Sequence, residues 1–308
     1  MTSQQPAARG PQFEAMMAQI DFKLTNEGVD IPTRPMLAVR EVSMAYNLSM
    51  PLGGDTARRP PELRENAALS EAINQWYKDN YGDRLKEDPC PGRMVILLDG
   101  DLYVLRVPRI FGRVNFVLTR QWLPNPGIGR GPAICNITQL VDGMTAGKAG
   151  RLSDVALDTI GAAFEIAVPA AFTLESTDHA LMFIARGDVE AAVNALMARG
   201  GRYGESKWAS LQAAEKVLKA AIDRAGLRYG FTHGLAGLCK TLADTGLNFN
   251  ANAQVASIQC KPGIRYGEEP CSRDEALVAH RASLELVNIL REAGAKFELG
   301  LGGLQRSS

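Results

Sequence analysis

The chain has few of the residues that hold metals or build disulfide frameworks. Its three histidines, at 179, 233 and 280, are scattered, and its five cysteines (Cys90, Cys135, Cys239, Cys260 and Cys271) include no CxxC pair. An odd count without that spacing gives neither a zinc ribbon nor a paired scaffold, so reduced thiols, no metal and no cofactor are expected. Neither sign of charge dominates: Lys plus Arg number 34 and Asp plus Glu 34. A purely electrostatic nucleic-acid binder is thereby excluded, while locally clustered charge could still meet RNA. The start shows no signal peptide, and a cytoplasmic setting is the expectation. The longest apolar run, about 162–174, carries Glu165 and Pro169 and is short for a bilayer, so no membrane partner is expected. Asn136-Ile137-Thr138 has the form of a glycosylation sequon, which is without consequence in that setting. The sequence has no GxSxG, and nothing pairs a cysteine with a nearby histidine. The Gly-rich stretch 127–132 lacks both the Lys-Ser/Thr of a phosphate loop and GxGxxG spacing.

What is present is an ordinary globular composition, 46% hydrophobic and 22% charged over 308 residues, enough for two domains. Residues 1–11 read as a polar tail. Phe13 to Leu24 suits a short amphipathic helix, Met36 to Met50 is open between strand and helix, and Asn66 to Tyr81 reads as a helix. Gly53 to Pro61 is a loop whose Arg58-Arg59 pair could touch phosphate. The period then changes. Met94–Leu98 and Leu102–Val107 flank Asp99-Gly100-Asp101, a hairpin signal, with Val114–Leu118 a third strand and Ala133–Val141 a strand or helix. Arg109, Arg113, Arg120 and Arg130 make this region locally basic. The fold class expected is α+β: an N-terminal α+β module with a small antiparallel sheet over 12–150, a helical connector over 151–179 broken near Pro169, and an all-α helical bundle over 180–300.

The bundle is organised around residues 205–245. Trp208, Leu211, Leu218 and Ile222 form one stripe of a long helix, widened by Ala214, Val217 and Ala221, with Glu215, Lys216 and Lys219 on the remaining faces. After Gly226 comes a short link with Thr232 at an N-cap position, then a second helix through Leu235, Leu238 and Leu242. Val189, Val193, Leu196 and Met197 mark an earlier helix that ends at Gly200-Gly201. Leu277, Leu284, Val287 and Leu290 mark a last one from Arg273. Arg-Tyr-Gly recurs at 202–204, 228–230 and 265–267, each time at a predicted helix end, as shared turn chemistry would produce.

AAEKVLKA (213–220) followed by THGLAGL (232–238) resembles the HEPN domain, a small helical bundle. Upstream, 185–208 looks like that family's first helix and its turn into the second. Downstream, 264–290 looks like its Arg-Tyr turn and last helix. The resemblance covers roughly 180–295. It implies a homodimer through the bundle and an RNA or nucleotide ligand. It further implies either a metal-independent endoribonuclease of a toxin or phage-defence system, or a non-catalytic module for binding nucleotide, RNA or protein. In the first case the N-terminal module would sense or position the substrate, or recruit a protein partner.

Ribonucleases of this family use an Arg and a later His with four to six residues between them. A guanidinium can hold a scissile phosphate, and an imidazole can move a proton to or from the 2′-hydroxyl or the leaving oxygen. Arg228/His233 and Arg273/His280 both have such a spacing. With 24 Arg and three His, random placement gives roughly 0.7 such pairs, so the spacing alone decides little. Arg273/His280 is the leading pair by its context, although about 10 Å of helix axis separates the two positions. His233 has capping or loop-fixing as its alternative. Arg265-Tyr266 matches the Arg-Tyr turn, for which the resemblance implies a structural or nucleotide-contacting role. Lys216 and Lys219 could contact phosphate, with solvated lysines the simpler reading.

Overall fold

The structure, a computed structural model, describes residues 7–51, 61–85, 90–110, 112–124, 133–230 and 233–297. The Arg58-Arg59 loop, the Gly-rich stretch with Arg130, and Thr232 lie outside them. The chain forms two compact units, Met1–Asp88 and Pro89–Ser308.

The first unit holds helices α1 (Pro11–Asn26), α2 (Arg34–Tyr46) and α3 (Pro61–Tyr81). Prolines at the first turns of α1 and α2 suit positions where a missing N–H costs nothing. The stretch that is ambiguous by pattern is helical and stops where Asn47 turns left-handed, φ 52°. Phe13, Met17, Leu24, Val39, Val42, Leu69, Ile73 and Tyr77 make the core. Beside them the nearly buried Arg34 donates to the Val29 carbonyl (2.9 Å), Tyr81 Oη (3.2 Å) and Asp21 (3.4 Å).

The second unit opens with an antiparallel hairpin, β1 (Gly92–Leu98) and β2 (Asp101–Val107), in the register Leu98↔Asp101. Asp99 (φ 52°) and Gly100 (φ 95°) both take positive φ, as a two-residue hairpin turn requires. A separate pair, β3 (Val114–Val117) and β4 (Ala133–Asn136), is parallel, and residues 137–140 continue as a 3-10 turn. The buried Asn136 amide ties the two together, donating to the carbonyls of Thr119 and Gln121 (both 3.0 Å). Helices α4 (Ala146–Ala149), α5 (Asp154–Ser176), α6 (Ala180–Met197), α7 (Tyr203–Arg224), α8 (Leu235–Ala243) and α9 (Asn252–Ile258) follow. A 3-10 turn (Pro262–Tyr266) then leads to α10 (Arg273–Glu292). Helix α7 packs on α6, α10, α8 and the 3-10 turn, and α5 packs on β1, β2 and α10.

The N-terminal mixed α/β region has its small antiparallel sheet and the C-terminal region is an all-α bundle, with the hairpin in the second compact unit, Pro89–Ser308. The physical reason is that two strands cannot bury their own faces. Met94, Ile96 and Leu98 enter the large core, while Val95 and Val104 pack with Val193, Leu196 and Ala276. Helix α5 runs unbroken through Pro169 for 23 residues. By length and composition alone it could cross a membrane, and here it lies against the hairpin and α10.

The 3-10 turn approaches α7 so closely that only glycine fits at 204: a Cβ there would stand 2.1 Å from the Ile264 carbonyl oxygen. Gly204→Ala is expected to destabilise the unit by about 1–3 kcal/mol, the usual cost of overpacking, read as a lower urea midpoint.

Candidate functional site

The two Arg–His pairs meet opposite fates. His280 lies on α10 with no exposed surface, and its Nε2 accepts the backbone N–H of Val95 (3.2 Å) from the outer edge of β1. That bond leaves the ring proton on Nδ1, which has no partner among the described residues. Burial alone pulls its pKa down to about 4. Arg273, two turns earlier on the same helix, is partly exposed and donates to the Gly100 carbonyl (3.0 Å) at the hairpin tip. One member fastens the hairpin turn and the other fills its edge, so the structure does not bring them to a common phosphate. Both serve the hairpin.

The third histidine, His179, caps α6. Its Nδ1 accepts from Leu181 N–H (3.1 Å), and its Nε2 meets Asp223 (3.0 Å). Two of the basic residues after the hairpin are also engaged: Arg109 pairs with Glu175, and Arg120 pairs with Asp154 (2.5 Å) and donates to the Leu152 carbonyl (2.6 Å).

His233 differs from the other two. Its side chain is 58% exposed, and Nδ1 bonds Glu215 Oε2 at 2.6 Å. Gln259 holds its backbone, donating from Nε2 to the His233 carbonyl (3.2 Å) and accepting the Leu235 N–H (3.0 Å). The ring of His233 meets the indole of Trp208 edge-on at 5.6 Å. Glu215, assigned by periodicity to a polar face, is buried. Burial opposes its ionisation, but hydrogen bonds from Lys219 (2.5 Å) and His233 outweigh that and hold its carboxyl below the usual range. The AAEK and THGL motifs thus meet in one hydrogen-bonded contact.

Lys219, with Glu215 on one side, also lies over the ring of Tyr229 at 5.4 Å. The 3-10 turn also meets Trp208. The Arg265 guanidinium lies 5.2 Å from the indole and 4.4 Å from the Tyr266 ring, whose hydroxyl it also bonds. Tyr266 is 66% exposed. The structure therefore joins four of the expected residues, Lys219, His233, Arg265 and Tyr266, into one row through Trp208 and Glu215. Lys216 is not in the row, because it pairs with the part-buried Asp188 at 2.5 Å. Arg228 is exposed on the strand of chain before His233, beside Tyr229. Trp208, Glu215 and Tyr229 were not legible as site residues. Trp208 reads as part of an apolar stripe, and only the co-occurrence of AAEK and THGL hinted at Glu215.

A row of π faces and cations can stack a planar base and meet a phosphate, chemistry that neither a metal cage nor a nucleophile supplies. Among the described residues no cluster of His, Cys, Asp and Glu could hold a metal ion. An open groove of about 890 Å³ lies in the first unit, between the start of α1 and α3, crossed by a hydrogen bond from Trp76 Nε1 to Glu14 (2.7 Å). It offers mixed surface charge and no comparable row.

Residues 179–291 match the HEPN domain family. No curated protein and no solved structure matches the chain.

His280 makes stability depend on pH. Its folded pKa, about 4, lies below its ordinary value near 6.5, so the unfolded chain takes up a proton that the folded chain refuses. The contribution is complete above pH 6.5 and is lost as pH falls towards 4. About 2 kcal/mol should disappear between pH 7 and pH 5, before most carboxylates titrate. Urea midpoints at those two pH values check this, and His280→Gln, whose amide oxygen can still accept the Val95 N–H, should flatten the difference.

Proposed function

We propose, from the premise that residues 179–291 form a HEPN domain, that this domain is a non-catalytic module binding a nucleotide-type ligand. The ligand would be a base stacked on the aromatic row, with its phosphate at Arg265 and His233. The observation that carries this reading is the placement of Arg265 over both the Trp208 and Tyr266 rings. A guanidinium held in that way keeps N–H donors in a fixed plane beside an exposed ring, which suits a phosphate attached to a flat base. The partners are then RNA or a nucleotide at this surface, with dimerisation through the bundle and a protein partner for the first unit as further parts of the proposal.

A second reading, metal-independent RNA cleavage of the toxin or phage-defence kind, is favoured by one observation. His233 has its Nδ1 oriented by Glu215, no partner at Nε2 among the described residues and most of its side chain exposed, with Arg228 five residues before it. A histidine fixed by a carboxylate is a familiar general base. The Arg273/His280 pair is not carried into this reading, because a fully buried ring cannot reach a ribose hydroxyl.

The test is one titration and one incubation. Labelled RNA should bind the wild-type protein, and Arg265→Ala should weaken binding by roughly tenfold, the effect of losing about 1.4 kcal/mol. In EDTA, the RNA should stay intact with wild type and His233→Ala alike. Cutting by wild type that persists in EDTA and is lost in His233→Ala would replace this reading with the ribonuclease. No binding by the wild type would end both.

A further inference from the structure

We infer that Tyr229 is a second base-stacking platform, so the ligand of this surface is a single-stranded oligonucleotide longer than one nucleotide. The inference rests on the binding reading above and extends it to a residue that neither motif contains.

The two exposed tyrosines stand at opposite ends of a connected row. Tyr266 carries Arg265 at 4.4 Å from its ring, and Tyr229, 39% exposed, carries Lys219 at 5.4 Å. The links between them are Arg265 to Trp208 (5.2 Å), Trp208 to His233 (5.6 Å), His233 to Glu215 (2.6 Å) and Glu215 to Lys219 (2.5 Å). Three of these residues, Trp208, Glu215 and Lys219, fall at i, i+7 and i+11 on one stripe of α7. The row therefore follows the helix for about 16 Å at ~1.5 Å per residue. A strand stacked at ~3.4 Å per nucleotide covers that length with about five nucleotides, and an extended strand does so with fewer. One nucleoside does not span that length.

The charges suit a ligand held by its bases. Lys219 is committed to Glu215 and to the Tyr229 ring, and Arg265 to two rings. Glu215 is buried and compensated, so it does not face an approaching backbone as a bare anion. With few cations left for phosphates, affinity comes mainly from stacking, and its dependence on salt is shallow.

The experiment uses the full chain in EDTA, with a 5′-labelled six-nucleotide oligoribonucleotide, its deoxy counterpart, a six-base-pair RNA duplex, and AMP and UMP as competitors. The single-stranded hexamer is expected to bind at least tenfold tighter than either mononucleotide or the duplex. Tyr229→Ala should weaken the hexamer about five- to hundredfold, the range for losing one stacked base, and Tyr229→Phe should retain binding because stacking needs no hydroxyl. A urea midpoint unchanged in Tyr229→Ala separates lost stacking from misfolding. Preference for the ribo over the deoxy hexamer identifies RNA, and equal binding identifies single strands in general. Both support the inference. Mononucleotides competing as well as the hexamer, a duplex binding as tightly, or a hexamer indifferent to Tyr229→Ala would each overturn it. If Arg265→Ala still weakens binding in those cases, the broader reading survives alone.

Discussion

The carboxylate of Glu215 is buried in the side of a largely enclosed helix, α7, and much of the candidate site follows from the need to satisfy it. Helix α7 is buried over most of its circumference, by α6, α8, α10 and the 3-10 turn. Polar groups on such a helix must find partners inside the protein. Ser206 and Ser210 do so through the carbonyls of Ala192 and of Ser206 itself, both at 2.9 Å. A charged group asks more, since an isolated buried anion is far costlier than a hydroxyl. Glu215 is met by Lys219 one turn on and by His233 from outside the helix. That second bond fastens the chain before α8 to α7 and brings the His233 ring against Trp208. The first holds Lys219 where Tyr229 can lie beneath its ammonium.

The hairpin poses the converse problem. A two-stranded sheet offers unpaired backbone groups along its outer edges. On β2, Val104 accepts the N–H of Asp142 at 2.8 Å. On β1, the donor is the Val95 N–H, and a neutral imidazole from α10 accepts it. An aliphatic side chain at 280 would fill the same space and leave that N–H orphaned. The hairpin tip is held in the same way, by Arg273 on the Gly100 carbonyl and Lys148 on Asp99 (3.0 Å). Arg273 and His280, residues of the types used for catalysis, are bonded here to the hairpin turn and to the edge of β1.

The helices of the bundle were legible because their apolar stripes are long and periodic, and the hairpin because Asp-Gly between alternating runs has few other meanings. The grouping of elements was less so. Nothing in Met94–Val107 itself tells whether a hairpin buries its faces against α1–α3 or against α5, α6 and α10, and only the fold reveals that both faces are taken by the latter. The parallel pairing of β3 and β4 was hidden for the same reason, since register across a long connection is a tertiary property. In the site, His233, Arg265, Tyr266 and Lys219 were named from motifs, whereas their connectors were not. Trp208 is 94% buried as a core residue is, and it still offers its indole to two charged or polar rims. Periodicity reports burial, and a residue that is both buried and part of a site looks the same to it as one that is only buried.

The contrast between His280 and His233 shows how far residue type falls short of role. Both imidazoles accept or share one hydrogen bond at a ring nitrogen, and both sit within seven residues of an arginine. One ring is sealed and stays neutral down to about pH 4, so it can carry no proton to or from anything outside. The other is exposed and oriented, but the arginine that packs nearest its row, Arg265, comes from a different turn and is spread over two aromatic rings. A phosphate arriving there would meet stacking surfaces before it met a dense cluster of charge. Transition-state stabilisation of a cleaving phosphodiester relies on donors aimed at the oxygens where charge develops, held clear of other tasks. Here two aromatic rings place Arg265 and a carboxylate places Lys219, so the positions of the row's cations are set by stacking and by Glu215.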